Sequence, residues 1–259
     1  MRPIWKLQRF GRQQKMRLLW RSVVTSLNED HNSFLYWYPK IVGRVATPKT
    51  VIVLTEGAST KWIDEGAPEP FVLKLKAAAK PLGYPVFMRT EQLSAKHLWE
   101  GTCFVQSESV LPKHLYLLIE EQYMALDMQM DATPQAIILR EFLHLRSFFA
   151  THRHGMPVAR EFRCFAANGK IECYHPYWPH GAIEEEGPDP NWRDYLPQLE
   201  AAPPSMALEM VMKASEAFSE QMSIDICETQ DGRWLVTDMA TGAESYHWPH
   251  GDPEGGARE

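Results

Sequence analysis

The pattern that most restricts this chain lies near its end, where SIDICETQDGRWLVTDMA sets two apolar, strand-like runs on either side of Asp231-Gly232. An Asp-Gly pair between such runs favours a two-residue hairpin loop, because both loop positions need a positive φ. Counting outward, Gln230 faces Arg233, Thr229 faces Trp234, Ile226 faces Thr237 and Asp225 faces Asp238. Directly opposed residues have Cβ atoms roughly 5 Å apart, and like charges there repel. A cation between the two carboxylates resolves the conflict. Mg²⁺ suits the position: it takes hard oxygen ligands, needs few protein carboxylates and leaves room for phosphate oxygens. Two other outcomes stay open, protonation of one aspartate or a bulge that shifts the register and separates the pair.

The 259 residues have room for one large domain or two small ones. Apolar and charged fractions of 44% and 23% are those of an ordinary globular chain. A net charge of −6 argues against a general nucleic-acid binder. The start differs, with Arg2, Lys6, Arg9, Arg12, Lys15, Arg17 and Arg21 and no acid among them. Such an arm could form a basic amphipathic helix that meets a partner or an anionic surface. The preferred reading is a helix packed on the body through Trp5, Phe10, Leu18 and Leu19. No apolar run is long enough to span a membrane, and no signal-peptide segment opens the chain. Cys103, Cys164, Cys173 and Cys227 lack zinc-site spacing, so reduced thiols in a cytoplasmic protein are expected.

Along the chain, Ser33–Tyr38 reads as extended and Pro48–Leu54 as a buried strand. Glu69–Leu82 reads as a helix stopped by Gly83, and Tyr84–Arg89 as a strand. A polar loop with Ser94 and Lys96 leads to an extended GTCFV; a helix over Leu111–Leu126 and a strand over Ala136–Leu143 follow. Arg160–Trp178 is a second hairpin, turning at Asn168-Gly169, which pairs Cys164 with Cys173 and Arg163 with Tyr174. Gly181–Pro204 reads as a loop, Ser205 as the cap of a helix running to about Met222, and 251–259 as a disordered tail. Helices alternating with antiparallel pairs indicate an α+β fold. No GxxxxGK[ST] phosphate loop is present.

If the paired aspartates hold a metal beside phosphates, cations are needed nearby. Arg89 at a strand end, Lys96 in the loop after it and Arg163 inside a strand beside Glu161 are the candidates, since Arg and Lys bind phosphate as a fork and a mobile point charge. Alone, the loop reads as an exposed polar turn, and Arg163 could simply pair with Glu161 or Glu172. None of the chain's histidines stands out as a catalytic base.

AIILREFL, an insert and AREFRCFAANGKIECY, preceded by MRTEQLSAKHLWEGTC and followed by SIDI…GRWLVTDMATGAESYHW, together resemble the ATP-grasp superfamily in that family's order. The pattern spans about Pro48 to Trp248. It is similar to the branch found in phage and bacterial proteins and related to a eukaryotic cell-division-cycle protein that helps assemble a translation initiation factor. The resemblance implies two α+β subdomains that clamp ATP. The division would be 1–83 for the basic arm and a reduced preceding region, 84–135 for a small lid and 136–250 for the C-terminal subdomain. Arg89 would take the first phosphate-binding position and Lys96 that of the flexible-loop lysine. Arg140-Glu141-Phe142-Leu143 would be the hinge, with Glu141 and Leu143 backbone at the adenine edge. Glu161 would lie near the ribose and Arg163 near the γ-phosphate or acyl group. Asp225 and Asp238 would hold Mg²⁺. Relatives carry Asn two residues after the second acid, where this chain has Ala240; water or Glu244 would replace that ligand. The implied activity is an ATP- and Mg²⁺-dependent carboxylate–amine ligase acting through an acyl phosphate, with a peptide or protein among the candidate substrates. The alternative is an ATP-binding assembly factor with little turnover.

Overall fold

The computed structural model describes residues 30–55, 61–125, 133–151, 155–185 and 189–247. The basic arm and the tail 251–259 lie outside the described residues.

Two four-stranded antiparallel sheets organise the chain. The first orders β1 (Thr50–Leu54), β4 (Ala136–Glu141), β2 (Val86–Thr90) and β3 (Phe104–Val105). Strand alternation sorts its side chains. Val53, Val86, Met88, Ile137 and Leu139 meet α3 (Glu69–Ala79) and α4 (Leu111–Ala125) through Leu75, Ala79, Leu111, Leu115 and Leu118. Ala136 and Ile138 point the other way and join the core of the second sheet. Arg140 on β4 and Phe87 and Arg89 on β2 share this second face by the same parity. β4 follows the expected division at residue 136 yet pairs with both β1 and β2, so the first sheet runs across that division.

The second sheet orders β10 (Trp234–Thr241), β9 (Met222–Glu228), β7 (Glu161–Ala167) and β8 (Lys170–Pro176). Its inner face, with Phe162, Cys164, Ile224, Ile226, Trp234, Val236 and Met239, packs on α1 (Phe34–Ile41) and α7 (Ser205–Ser215). A ribbon of β5 (Ser147–Ala150) and β6 (Pro157–Ala159) sits apart. Two short helices, α2 (Lys61–Glu65) and α5 (His180–Glu185), and the single turn α6 (Leu196–Leu199) complete the set. The architecture is α+β, as the sequence indicates.

Several local expectations are corrected. Phe34–Ile41 is helical, not extended: Ser33 Oγ accepts from Leu35 N–H at the N-terminus, and Phe34, Leu35, Trp37, Tyr38 and Ile41 are buried along one helical stripe. Where a loop over Gly181–Pro204 was expected, His180–Glu185, Trp192–Tyr195 and Leu196–Leu199 are helical turns, because Ile183, Trp192 and Leu199 bury against Val158. The helix opening at Ser205 ends at Ser215, and Ser205 is its first helical residue after an extended Pro204, so its side chain caps nothing. Both hairpin registers also depart from a simple count. In β7–β8 the turn is as expected, with φ of 49° and 77° at Asn168 and Gly169. An extra residue, Glu172, then shifts the pairs to Phe165–Cys173, Cys164–Tyr174 and Arg163–His175.

Candidate functional site

The acid-bearing hairpin reaches the expected pairing by a different route. Among its loop residues only Gly232 has a positive φ, 80°, and Thr229 N–H bonds Arg233 C=O, so the loop has three residues rather than two. Trp234 therefore faces Glu228, and Val236 faces Ile226. A bulge at Thr237 restores the count, and Asp238 faces Asp225. The bulge also reverses parity. Trp234 and Val236 point into the core, and so does Met239; without the extra residue Asp238 would point there. A bulge occurs as the sequence allowed, but it joins the aspartates on one face instead of separating them.

Cations from four strands and loops surround this face. Arg163, paired with Asp225 across β7 and β9, bonds it through both oxygens, Nε–Oδ1 at 2.8 Å and Nη2–Oδ2 at 2.9 Å. Arg89 Nη1 lies 2.7 Å from Asp238 Oδ1, which also accepts from Met239 N–H. Lys96 Nζ, in a short 3₁₀ turn over Lys96–Leu98, is 3.9 Å from Glu161 Oε2. Arg140 donates from Nη1 to the C=O of bulged Thr237, tying the first sheet to the second. Its Nε and Nη2 are buried with no hydrogen-bond partner, and no acid pairs with it among the described residues. The guanidinium carbons of Arg89 and Arg140 lie 5.6 and 5.3 Å from the ring centre of Phe34, which α1 places beneath both.

Burial and neighbours set the charges. Burial opposes ionisation of Asp238, but Arg89, Lys96 and Arg140 outweigh it and hold the carboxyl below its ordinary range. Burial pushes Glu161 above its ordinary range; Lys96 opposes this, Asp225 adds to it and Arg163 opposes it. Burial and then Arg89 draw Arg140 down to about 10. Burial would also lower Lys96, yet Tyr177, Glu161, Asp225 and Asp238 raise it overall, so it stays a cation.

These groups form one end of a cleft between the sheets. Arg89, Lys96, Arg140, Glu141, Phe142, Leu143, Glu161 and Asp238 line it; Arg163 and Asp225 stand beside it through their pairing. Its other end is apolar, with Phe87, Trp99, Phe142, Leu145, Met156 and Pro157. Trp99 stacks on Phe104 at 5.2 Å, and Phe142 closes on Phe104 at 4.9 Å. Glu141 is fixed at this end by Lys49, whose N–H donates to its side chain and whose C=O accepts its N–H. Glu244 does not line the cleft. It lies exposed in the Gly242–Glu244 turn and accepts from Asn32 Nδ2. Among the described residues no group of three or more acidic, His or Cys side chains is gathered for a metal. Sequence reading missed Phe87, whose parity with Arg89 marks it, and Phe34, Trp99 and Tyr177, which come from other segments.

The family model described as the ATP-grasp domain, R2K clade family 3, matches residues 68–256. No curated protein matches the chain in sequence. Among solved structures, Cdc123 from Schizosaccharomyces pombe is similar at a TM-score of 0.50 and 18% identity, over 82% of this chain and 83% of that one. N5-carboxyaminoimidazole synthase from Aspergillus clavatus, solved with ADP, gives 0.46 and 12%, over 81% of this chain but 44% of that one. The ATP-grasp ligase PsnB with a minimal precursor gives 0.45 and 8%, over 83% and 52%. This chain thus spans about half or less of the two larger enzymes. At such identities the likeness is one of fold. The family match covers well over half of the residues, and the chain belongs to R2K clade family 3 of the ATP-grasp domains.

Proposed function

We propose that the chain binds ATP in this cleft and, with Mg²⁺, joins a carboxylate to an amine. The observation that carries the reading is Arg140, a buried guanidinium that among the described residues has two unpartnered nitrogens and no acid of its own, set beside a second buried guanidinium. Unmade hydrogen bonds on a buried group cost about 1–3 kcal/mol each. An anion rich in oxygen acceptors removes that cost. Four cations, Arg89, Lys96, Arg140 and Arg163, face three acids, so a polyphosphate is favoured at this end and a flat apolar ring at the other. The N–H of Leu143 makes no backbone bond among the described residues, which leaves a donor for the edge of a base.

The acids suit Mg²⁺ in donor chemistry. Asp225 and Asp238 oppose one another on one face, and Asp238 Oδ2 has no hydrogen bond among the described residues. With Glu244 outside the cleft and Ala240 lacking an oxygen, the protein would supply two carboxylates and leave the remaining positions to water and phosphate. Bound there, the ion would neutralise charge on the β- and γ-phosphate oxygens. Lys96 and Arg163 would hold the transferring phosphoryl group. A substrate carboxylate oxygen attacks the γ-phosphorus and ADP leaves. The amine nitrogen then attacks the acyl carbon, the acyl–oxygen bond to phosphate breaks, and the departing phosphate takes up the proton that the amine loses. No side-chain nucleophile is required.

A second reading, a module that holds ATP and a protein partner with little turnover, is favoured by Ala240. Calorimetric titration of Mg·ATP into the wild type and Arg140→Met tests binding. The expected result is micromolar-range binding that falls about a hundredfold in the variant, in line with the ~1.5–3 kcal/mol of a charge-assisted hydrogen bond, with no drop in unfolding temperature. Equal affinity in both proteins would remove Arg140 from the site. ADP release stimulated by carboxylate and amine together separates the ligase from the module.

A further inference from the structure

Tyr177 carries no role in the reading above, yet two of the site's cations rest on its ring. Lys96 Nζ is 4.7 Å and Arg163 Cζ 4.9 Å from the ring centre. The two cations come from unrelated parts of the chain, one from the 3₁₀ turn after β2 and one from the middle of β7. Tyr177 follows the end of β8, and its N–H donates to Glu161 C=O at 2.9 Å, so its backbone is fixed to the start of the strand that carries Arg163. Like charges that share one ring repel, and among the described residues each has one carboxylate in ion-pair contact: Glu161 for Lys96 at 3.9 Å, Asp225 for Arg163. An aromatic face attracts cations through its quadrupole without needing a charge of its own.

We propose that Tyr177 is a positioning residue that holds Lys96 and Arg163 at a fixed separation on one ring, so that both reach the same phosphoryl group. This rests on the assignment of the cleft to ATP. The ring, not the hydroxyl, does the holding. It keeps the lysine of a loop and the arginine of a strand in register when an entering phosphate competes for their carboxylates. Loss of the ring would let Lys96, now 3.9 Å from Glu161, close on that carboxylate, and would remove the common support that keeps it beside the Asp225-bound Arg163.

Calorimetry with Mg·ATP on the wild type, Tyr177→Phe, Tyr177→Leu, Lys96→Met and the Tyr177→Leu/Lys96→Met pair decides the matter, each protein first checked for an intact unfolding transition. The Phe variant is expected to bind within twofold of the wild type. The Leu variant is expected to bind about tenfold more weakly, the scale of two cation–π contacts. In the Lys96→Met background the same change should cost less than half as much, because one of the two cations is gone. A Leu variant that binds as the wild type does, a Phe variant as weak as the Leu variant, or full additivity of the pair would each overturn the proposal. A Leu variant that does not fold leaves the decision to the Phe variant, where a tenfold loss would overturn it and retention would support it. A wild type that binds no nucleotide would instead remove the ATP assignment of the cleft.

Discussion

The two hairpins of the second sheet differ in an instructive way. In β7–β8 the turn has the expected residues and the expected φ values, yet the strand pairs beyond it slip by one at Glu172. In β9–β10 the loop is one residue longer than expected, yet Thr237 cancels the error and the aspartates meet. Turn chemistry fixes only the first rungs of a ladder. Further out, the side chains that need burial decide. Trp234, Val236 and Met239 all enter the core, which a strict alternation cannot achieve, so β10 takes an extra residue and turns Asp238 outward.

Removing that extra residue is the strongest way to break the comparison. Deletion of Thr237 would aim Asp238 into the apolar core and Met239 out of it. The expected loss is about 4 kcal/mol or more, the scale of an unpaired buried charge, read by urea unfolding and by loss of folded yield. Next comes Asp225→Asn, which leaves Arg163 without its bidentate partner. A destabilisation of about 3 kcal/mol is expected. The same variant should bind ATP in the presence of EDTA about tenfold more tightly than the wild type, since one freed interaction of ~1.4 kcal/mol is a factor of ten. Unchanged metal-free affinity would mean that the ion pair does not compete with phosphate.

A smaller contrast separates the turns. Gly169 and Gly232 both have φ near 80°, but a Cβ at Gly169 would lie 3.3 Å from Glu216 Cγ, whereas Gly232 has nothing within 4 Å. Alanine at Gly232 should cost about 1 kcal/mol from backbone strain alone, and alanine at Gly169 measurably more, by thermal unfolding of the two variants. The smallest effect is in pH. The Asp238 carboxyl is depressed in the folded chain, so its contribution is whole above the unfolded aspartate value of about 3.9 and is lost as pH falls through the folded value. Glu161 is raised, so its favourable term is whole at low pH and is lost as pH climbs through its folded value. Stability of Asp238→Asn between pH 2 and 6 should lack part of the acid limb, and Glu161→Gln should show the opposite sign.

Much of the site could be read from the residues because strand alternation is strict over short distances. Asp225, Asp238, Arg89 and Arg163 sit on strands whose apolar neighbours set their parity, whereas the places of Arg140, Glu141, Phe142, Leu143 and Glu161 followed from the resemblance to the ATP-grasp superfamily. Lys96 came from a loop next to such a strand. What could not be read was long-range. Phe34 and Tyr177 touch the cations only because distant segments fold back, and nothing local marks them. The helix at Phe34–Ile41 was legible and misread: Phe34, Trp37, Tyr38 and Ile41 recur at i, i+3, i+4 and i+7, but the aromatic run Ser33–Tyr38 reads locally as extended. Glu244 was offered as a stand-in for the Asn that the family carries at the position of Ala240, and a 3₁₀ turn carries it off to Asn32.

The segment before the family match has a further consequence. The match opens at residue 68, but Phe34, Leu35, Trp37, Tyr38 and Ile41 fill the second sheet's core, and β1 closes one side of the first sheet. A fragment cut at the family boundary would retain every charged group of the cleft while losing the aromatic floor under two of them. A failure of such a fragment to hold nucleotide would reflect a missing foundation, since the charged side chains themselves remain.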